Sequence, residues 1–306
     1  MGEPLDPDLA AVVRAVPGWA DHRFTATPLT QGITNRNFRV DVNGESFVVR
    51  LSGRKTELLG IDRYAERMAA EAAAAAGVAP EVIAFLPEHG ALVTRFVEAR
   101  PLPTEDLERP EVLARVVEAL KAIHGMRRIP SSFDPFRVVR GYRRVAEEHG
   151  VPIPEAYAEA LAYAERIERA FLAAPTPERP CHNDLLNANF LVVGERVLIV
   201  DYEYAGMGDP FFDLGNFSIN NGLSEEAQDR LLELYFGAAT PARHARLKLM
   251  RIMSDFREAM WAVVQQGISS LDVDYVAYAD RHFTRCLESA GDARFGTWLE
   301  RAAGGA

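Results

Sequence analysis

The residue types best suited to chemistry lie in one segment of the chain, between positions 182 and 201. It contains the run His182-Asn183-Asp184, an asparagine at Asn189 and an aspartate at Asp201. Asparagine and aspartate offer hard oxygen atoms of the kind that Mg²⁺ prefers, and Mg²⁺ usually takes few ligands from protein. Asn189 and Asp201 would suffice as metal ligands, which leaves Asp184 to orient and deprotonate an acceptor hydroxyl.

This combination of groups favours phosphoryl transfer. The transition state of that reaction is mostly spread negative charge, so the protein supplies position and cations rather than covalent chemistry. Asp184 and Asn189 are expected on a loop, and Asp201 just past the second strand of a short hairpin around Gly194-Glu195. A single Asp or Asn in a loop is usually a turn former or a helix cap. The joint spacing, with a hairpin that can bring the three side chains together, favours a site.

The elements before this segment are predicted to be mainly strands. Alternating apolar residues on both sides of Asn43-Gly44 predict a hairpin within the region Phe24 to Leu51. Further strands are predicted at Val82 to Phe85 and Ala91 to Val97. Helices are expected at residues 5–16 and 61–76, the second ending at Gly77.

Helical periodicity dominates after Pro101. It predicts helices at residues 105–125, 154–173 and 224–290, and strand-like segments reappear only at 190–193 and 196–200. A β-rich part followed by a helical part indicates a two-lobed α+β architecture, with lobes at residues 1–97 and 98–306. The crevice between the lobes is the expected ligand site.

Composition narrows the class of protein. With 34 Lys and Arg against 44 Asp and Glu, the net charge is −10, which argues against nucleic acid as a partner. Cys181 and Cys286 give neither a disulfide framework nor a metal-binding spacing, and fit a reducing compartment. We expect a cytoplasmic monomer or homodimer with no signal peptide and no membrane span.

The segment that carries the chemistry resembles the choline/ethanolamine kinase branch of the aminoglycoside phosphotransferase-like kinases. The motifs are His-x-Asp-x-x-x-x-Asn at 182–189, Val200-Asp201-Tyr202-Glu203-Tyr204, and DPFFDLGNF at 209–217. The resemblance covers most of the chain and implies a protein-kinase-like fold that uses ATP and Mg²⁺. It implies Asp184 as the catalytic base, Asn189 and Asp201 as magnesium ligands, and structural roles at the site for His182 and Asp213.

The resemblance also indicates a phosphate-covering loop in the segment Leu29 to Asn35. Its residues expected at the nucleotide are Gln31, Gly32, Thr34 and Asn35. Backbone N–H groups of such a loop lie over the phosphates. The family often has a second glycine where Gln31 stands, and a lone glycine between two strands is also typical of an ordinary hairpin turn.

A cation on the third strand binds the α and β phosphates in protein-kinase folds and pairs with an acid on a helix. Arg50 holds the matching place in this sequence. Glu66 is the expected partner, with Glu71 as its rival. The adenine is expected against the segment from Thr94 to Val97, which includes Arg95.

Aromatic residues are expected around the acceptor. Tyr204, Trp261 and Tyr278 match positions that form aromatic walls around the ammonium group in the resembled family. A quaternary ammonium over such rings gains about 0.5–2 kcal/mol per ring. The family has a second Trp at the place of Glu258 and an acid at the place of Asn220. We therefore hypothesise that Glu258 supplies the missing acid, which would shift preference toward a primary amine or another amino alcohol.

The leading interpretation is a kinase that phosphorylates a small amino alcohol such as choline or ethanolamine. One alternative is a kinase of another hydroxylated metabolite, such as thiamine or an aminoglycoside. A third possibility is a catalytically silent nucleotide-binding protein of the same fold. Magnesium-dependent turnover of ATP discriminates the last from the first two.

Overall fold

The computed structural model describes residues 6–29, 35–53, 55–269 and 271–305. Its N-terminal part is built on an antiparallel sheet of five strands in the order β1-β2-β3-β5-β4. The strands are β1 (Phe24–Leu29), β2 (Arg36–Val42), β3 (Glu45–Leu51), β4 (Val82–Leu86) and β5 (Ala91–Arg95). Two helices accompany the sheet, α1 (Pro7–Ala15) and α2 (Arg63–Ala75).

The predicted hairpin joins β2 to β3. Asn43 and Gly44 have φ angles of 55° and 78°, the left-handed pair that a tight two-residue turn needs, and Val42 pairs with Glu45 across it. Alternate residues of both strands, among them Phe38, Val40 and Val49, are buried against α1. The period-two pattern of the sequence therefore fixes which face of the sheet is covered.

Helices make up most of the C-terminal part. They are α3 (Pro110–His124), α4 (Pro135–Glu148), α5 (Ala156–Ala173), α6 (Pro210–Asn220), α7 (Glu225–Phe236), α8 (Pro241–Ile268), α9 (Tyr275–Ala290) and α10 (Phe295–Ala303). The central turns of α8 are buried throughout, since α4, α6, α9 and α10 pack around it. No helix among the described ranges is long and apolar enough to cross a membrane.

Short strands connect the two parts and shape the loops between them. β6 (Arg100–Pro101) pairs with β8 (Phe190–Val193), which pairs with β9 (Arg196–Ile199). β7 (Arg179–Cys181) pairs with β10 (Gly206–Gly208). Both cysteines are buried and unbridged.

The structure confirms the two-lobed α+β architecture and corrects some of its details. The prediction that strands reappear only at 190–193 and 196–200 was wrong, because β6, β7 and β10 are also strands. Each has two or three residues, too few for a periodic pattern, and forms only where tertiary contacts supply a partner. Helix α4 was not predicted either. Its apolar residues Phe136, Val139 and Tyr142 are separated by arginines and by Gly141.

Candidate active site

One cavity of about 710 Å³ lies between the five-stranded sheet and the helical part. Most of the residues singled out from the sequence line it: Asn35, Arg50, Glu66, Arg95, Val97, Asp184, Asn189, Asp201, Tyr204, Glu258, Trp261 and Tyr278. Gln31, Gly32 and Thr34 lie outside the described residues. His182 and Asp213 are buried beneath the loop that carries Asp184.

The loop after β7 presents Asp184 to the cavity. The amide nitrogen Nδ2 of Asn189 donates to the backbone oxygen of Asp184 at 2.8 Å, which closes the loop on itself. The backbone N–H of Leu185 donates to Oδ1 of Asn216, on α6, at 2.5 Å. Asn183, just before Asp184, has a φ of 66°. These contacts hold the loop from both sides and fix the direction of the Asp184 carboxylate.

Asp213 anchors the same loop from below. Its carboxylate accepts hydrogen bonds from the backbone N–H groups of His182 at 2.8 Å and Asn183 at 2.7 Å. It also contacts Nε2 of His124, on α3, at 2.9 Å. Burial would raise the pKa of Asp213, but the hydrogen bond from His124 and the nearby charges outweigh it, and the pKa is lowered. No motif in the sequence pointed to His124.

His182 links the loop to the strand that leads to Asp201. Its Nδ1 accepts from the backbone N–H of Asp184 at 3.2 Å, and its Nε2 lies 3.0 Å from the backbone oxygen of Val200. This pattern requires the neutral ring with the proton on Nε2. Burial lowers the pKa of His182, in agreement with a neutral ring.

Two side chains are suited to hold a divalent cation. Nδ2 of Asn189 is used by the loop, and Oδ1 is thereby the atom of this amide that can act as a metal ligand. Asp201 follows β9 with a φ of 70°, and its carboxylate is a third exposed. An amide oxygen and an accessible carboxylate on one cavity form a donor set that fits Mg²⁺.

Arg50, on β3, is the cation that lies next to the Asp201 carboxylate. It forms a close ion pair with Glu66 of α2 and lies 2.8 Å from Oδ1 of Asp201. Glu71, the rival partner, lies 3.7 Å from Arg67 instead. Arg50 and Glu66 are both buried, so this pairing spares each charge the large cost of being buried alone.

A second arginine extends this cluster and was not found from the sequence. Arg63 lies 2.9 Å from Glu66, forms a close ion pair with Glu203 and donates to Oγ1 of Thr56 at 2.8 Å. Glu203 is also 3.7 Å from Arg50. Burial would raise the pKa of Glu203, but the two arginines outweigh it and lower the pKa. The spacing of Arg63 and Glu66, one helical turn apart, was the available signal.

The opposite wall of the cavity is apolar where the adenine was expected. Val48, Leu92, Leu191 and Ile199 line it together with residues 94–97. The side chain of Arg95 forms ion pairs with Glu45 at 2.9 Å and Glu81 at 2.8 Å, on the sheet surface. A planar heterocycle would therefore meet aliphatic side chains and the backbone of this segment.

Nearer the helices, the cavity ends among aromatic and charged side chains. Nε1 of Trp261 donates to the hydroxyl of Tyr204 at 3.0 Å. The hydroxyl of Tyr278 donates to Oε2 of Glu258 at 3.1 Å, and the Trp261 and Tyr278 ring centroids are 5.7 Å apart. Asn220 is not among the cavity residues. Glu258 is accordingly the acid that reaches this end from α8.

Arg257 is the principal residue at this end that the sequence interpretation missed. Its guanidinium lies 4.1 Å from the centre of the Tyr204 ring, and its Nη1 lies 3.2 Å from Oδ1 of Asp184. It also forms a close ion pair with Glu258. In the sequence Arg257 is one of several charged residues of α8, and nothing in its local pattern sets it apart from the others.

The Asp184 carboxylate combines these influences. Burial raises its pKa to about 7, Arg257 acts in the opposite direction, and Glu258 and Glu203 add to the increase. A carboxylate with a pKa near neutrality can accept a proton from a hydroxyl more readily than an ordinary aspartate. The cavity thus brings together a carboxylate with a raised pKa, two side chains with oxygen atoms suited to a metal ion, and a buried cation.

The chain is similar over most of its length to a family of known enzymes. The model of the phosphotransferase enzyme family, APH, matches residues 25–249. A choline/ethanolamine kinase family protein from Mesorhizobium loti, known from its crystal structure, has 33% sequence identity to this chain. Its structure matches with a TM-score of 0.84 over 97% of this chain and 99% of its own. Protein LicA of Haemophilus influenzae is 29% identical over 252 residues, 77% of this chain and 72% of its own. Ethanolamine kinase 2 of Homo sapiens is 26% identical over 323 residues, 93% of this chain and 82% of its own.

Proposed function

Since the chain belongs to the phosphotransferase enzyme family, and within it to the choline/ethanolamine kinases, we propose that it transfers the γ-phosphoryl group of ATP to the hydroxyl of a small amino alcohol. The observation that supports this most directly is the position of Asp184. It lies in one cavity between Arg50 and Asp201 on one side and Glu258 and its aromatic neighbours on the other. A base between a phosphate-binding end and an ammonium-binding end matches the two reactants.

Asp184 accepts the proton of the acceptor hydroxyl as the oxygen attacks the γ-phosphorus, and the bond to the β-phosphate oxygen breaks. Asn189 and Asp201 would hold Mg²⁺, which neutralises charge on the phosphates when it is bound. The loop contacts of Asn189 and the His182 ring keep Asp184 in place during this step. General-base assistance of this kind contributes about 10²–10⁴-fold to rate.

On the nucleotide side, Arg50 binds the phosphates and Glu66 holds Arg50. From the family resemblance we infer that the segment with Gln31, Gly32, Thr34 and Asn35, of which the structure describes only Asn35, covers the phosphates, and that residues 94–97 contact the adenine. We place the lobe boundary at residues 97 and 98, so that the nucleotide is bound mainly by the first lobe and the acceptor by the second.

On the acceptor side, Glu258 binds the ammonium group, with Trp261, Tyr204 and Tyr278 around it. The Tyr278 hydroxyl holds the carboxylate of Glu258. Glu258 and Trp261 are three residues apart on α8, so both side chains lie on one face of this helix. His182 and Asp213 are buried, are not among the residues that line the cavity, and serve to position the loop.

The direct test is ATP consumption with Mg²⁺ against ethanolamine, choline, thiamine and an aminoglycoside. We expect turnover with an amino alcohol and a loss of about 10²–10⁴-fold in kcat for Asp184→Asn with nucleotide binding retained. Asp229→Asn changes the same residue type on the exposed surface of α7 and should have no effect. Turnover of thiamine or the aminoglycoside alone, or full activity of Asp184→Asn, would overturn the proposal.

A further inference from the structure

The acceptor end of the cavity contains a cation that belongs to the protein itself. Arg257 is 1% exposed, so its position on α8 is fixed by packing rather than by solvent. Its guanidinium covers a face of the Tyr204 ring, with Cζ 4.1 Å from the ring centre. That is the geometry in which a cationic ligand would use an aromatic ring.

The same guanidinium is shared by the two carboxylates that face the acceptor. Nη1 lies 3.2 Å from Oδ1 of Asp184 and also forms the close ion pair with Oε1 of Glu258. With Asp184 ionised, the form in which it can accept a proton, two negative charges and one positive charge leave a net charge of −1 at this end. Glu203, the next carboxylate, is paired with Arg63 and Arg50. The site therefore balances one positive charge on the acceptor.

The aromatic faces near this end are also partly occupied. The Tyr278 ring lies 4.6 Å from the ring of His282, measured between centroids, and 5.5 Å from the guanidinium of Arg281. Trp261 is 4% exposed and packs against Tyr278 and Tyr275. Few open ring faces remain for a quaternary ammonium, which has no N–H group and depends on such faces.

Hydrogen-bond acceptors are the groups that remain. The carboxylates of Glu258 and Asp184 each have two oxygen atoms, with several lone pairs, and a primary ammonium offers three N–H donors to such atoms. A trimethylammonium group has no N–H group and cannot donate a hydrogen bond to any of these oxygen atoms. Each N–H group on the nitrogen of the acceptor is therefore expected to strengthen its binding at this end of the cavity.

We propose that Arg257 is a specificity-determining residue. Its guanidinium occupies the face of the Tyr204 ring that a cationic ligand would otherwise use. The enzyme therefore selects an acceptor whose ammonium group carries N–H donors over one with a quaternary ammonium group. This rests on the proposed kinase function and names the class of its substrate: a short alcohol with a single primary ammonium group. Arg257 acts by its charge and volume, and it positions the two carboxylates that contact the acceptor.

The wild-type protein tests this with four acceptors: ethanolamine, N-methylethanolamine, N,N-dimethylethanolamine and choline. We expect kcat/KM to fall along the series, by at least about tenfold from first to last, since one hydrogen bond to a charged group contributes about that factor. Equal or higher kcat/KM for choline would overturn the inference while leaving the proposed function intact. If none of the four is phosphorylated, the proposed function itself fails.

A variant series isolates the residue. Arg257→Met removes the charge and keeps most of the side-chain length, and we expect the ratio of kcat/KM for ethanolamine to that for choline to fall at least about tenfold. Arg257→Lys retains the charge and should retain most of the preference. Arg251→Met is the matched control, since Arg251 lies on the same helix and donates to Ser218, away from the cavity.

A purely structural role for Arg257 predicts a different result. In that case Arg257→Met lowers kcat/KM for all four acceptors by one common factor, and the ratio is unchanged, which contradicts the proposal. Should Arg257→Met fail to fold, Arg257→Gln, which also removes the charge but keeps a polar end, takes its place with the same expected fall in the ratio.

Discussion

Nη1 of Arg50 lies 2.8 Å from the carboxylate oxygen Oδ1 of Asp201, although 151 positions separate the two residues in the sequence. One is the expected phosphate-binding cation of the sheet, and the other is a proposed metal ligand that follows β9. Their contact joins the two sides of the cavity. If Asp201 holds the metal and Arg50 the phosphates, as proposed, this contact is exchanged for contacts with ligand. Glu66 and Glu203 then remain as carboxylate partners of Arg50.

The first prediction concerns Glu66. Glu66→Gln removes one of the two carboxylates that Arg50 and Arg63 share, the other being Glu203, so Arg50 is held less firmly toward the phosphates. We expect KM for ATP to rise by at least about tenfold, because losing an interaction with a buried charge costs more than 1.4 kcal/mol. Steady-state kinetics with varied ATP measures this, with a thermal melt to verify folding.

Glu71→Gln is the matched control, since Glu71 lies on the same helix, outside the cavity, and is 3.7 Å from the half-buried Arg67. Its KM for ATP should equal that of the wild type. Equal effects of the two substitutions would contradict the assignment of Glu66.

The second prediction concerns metal binding. Asp201→Asn removes the charged member of the proposed ligand pair while preserving its shape. We expect the Mg²⁺ concentration that gives half-maximal activity to rise by at least about tenfold, as is common when a metal site is disturbed. Binding of Mn²⁺ in the presence of ATP, followed by electron paramagnetic resonance, provides a reading that does not depend on turnover. Unchanged Mn²⁺ affinity would remove Asp201 from the site.

The third prediction concerns the stability of the fold at acidic pH. His182 is buried as a neutral ring whose Nδ1 accepts from the backbone N–H of Asp184, and its pKa is lowered. In the unfolded chain a histidine has a pKa of about 6.5. Below that pH the unfolded chain therefore binds a proton at His182, whereas the folded chain keeps the ring neutral until the pH reaches its lower pKa. This stabilisation is complete above that pH and is lost as the pH falls from 6.5 toward the lower folded pKa.

Urea unfolding of the wild type and of His182→Gln between pH 7.5 and 5 measures this contribution. The variant should be less stable at pH 7.5. The gap in unfolding free energy should narrow below pH 6.5, by up to about 1.4 kcal/mol per pH unit. A gap that stays constant over this range would show that His182 does not carry the effect.

The fourth prediction concerns the packing of α6, which carries Asp213. A Cβ atom at Gly215 would lie 2.8 Å from the backbone carbon of Met250 and 2.9 Å from the backbone nitrogen of Arg251, on α8. Backbone cannot move aside as a side-chain end can, so Gly215→Ala should destabilise the fold by about 1–3 kcal/mol. Gly296→Ala, on α10, meets nothing within 4 Å. It should be neutral or stabilise by up to about 1 kcal/mol. Urea unfolding of both variants compares them, and equal stabilities would contradict close packing at Gly215.

The sequence by itself determined the chemistry and the broad architecture of this protein. Asp184, Asn189 and Asp201 were predicted by type and spacing, because phosphoryl transfer needs a base and hard oxygen ligands close together, and all three line one cavity. The Asn43-Gly44 hairpin and the long helices were predicted because their signals, turn residues and apolar periodicity, are local. The same local signals could not predict β6, β7 and β10, whose pairing depends on distant partners.

Only the tertiary structure decided which charges meet. The pairing of Arg50 with Glu66 rather than Glu71, the participation of Arg63 and Glu203, and the position of Arg257 between Asp184 and Glu258 all depend on contacts between distant parts of the chain. An arginine has the same local signal whether it lies in solvent or in the core. Its partners are set when helices and strands pack, since a buried charge must be neutralised by whichever carboxylates the packing brings within reach.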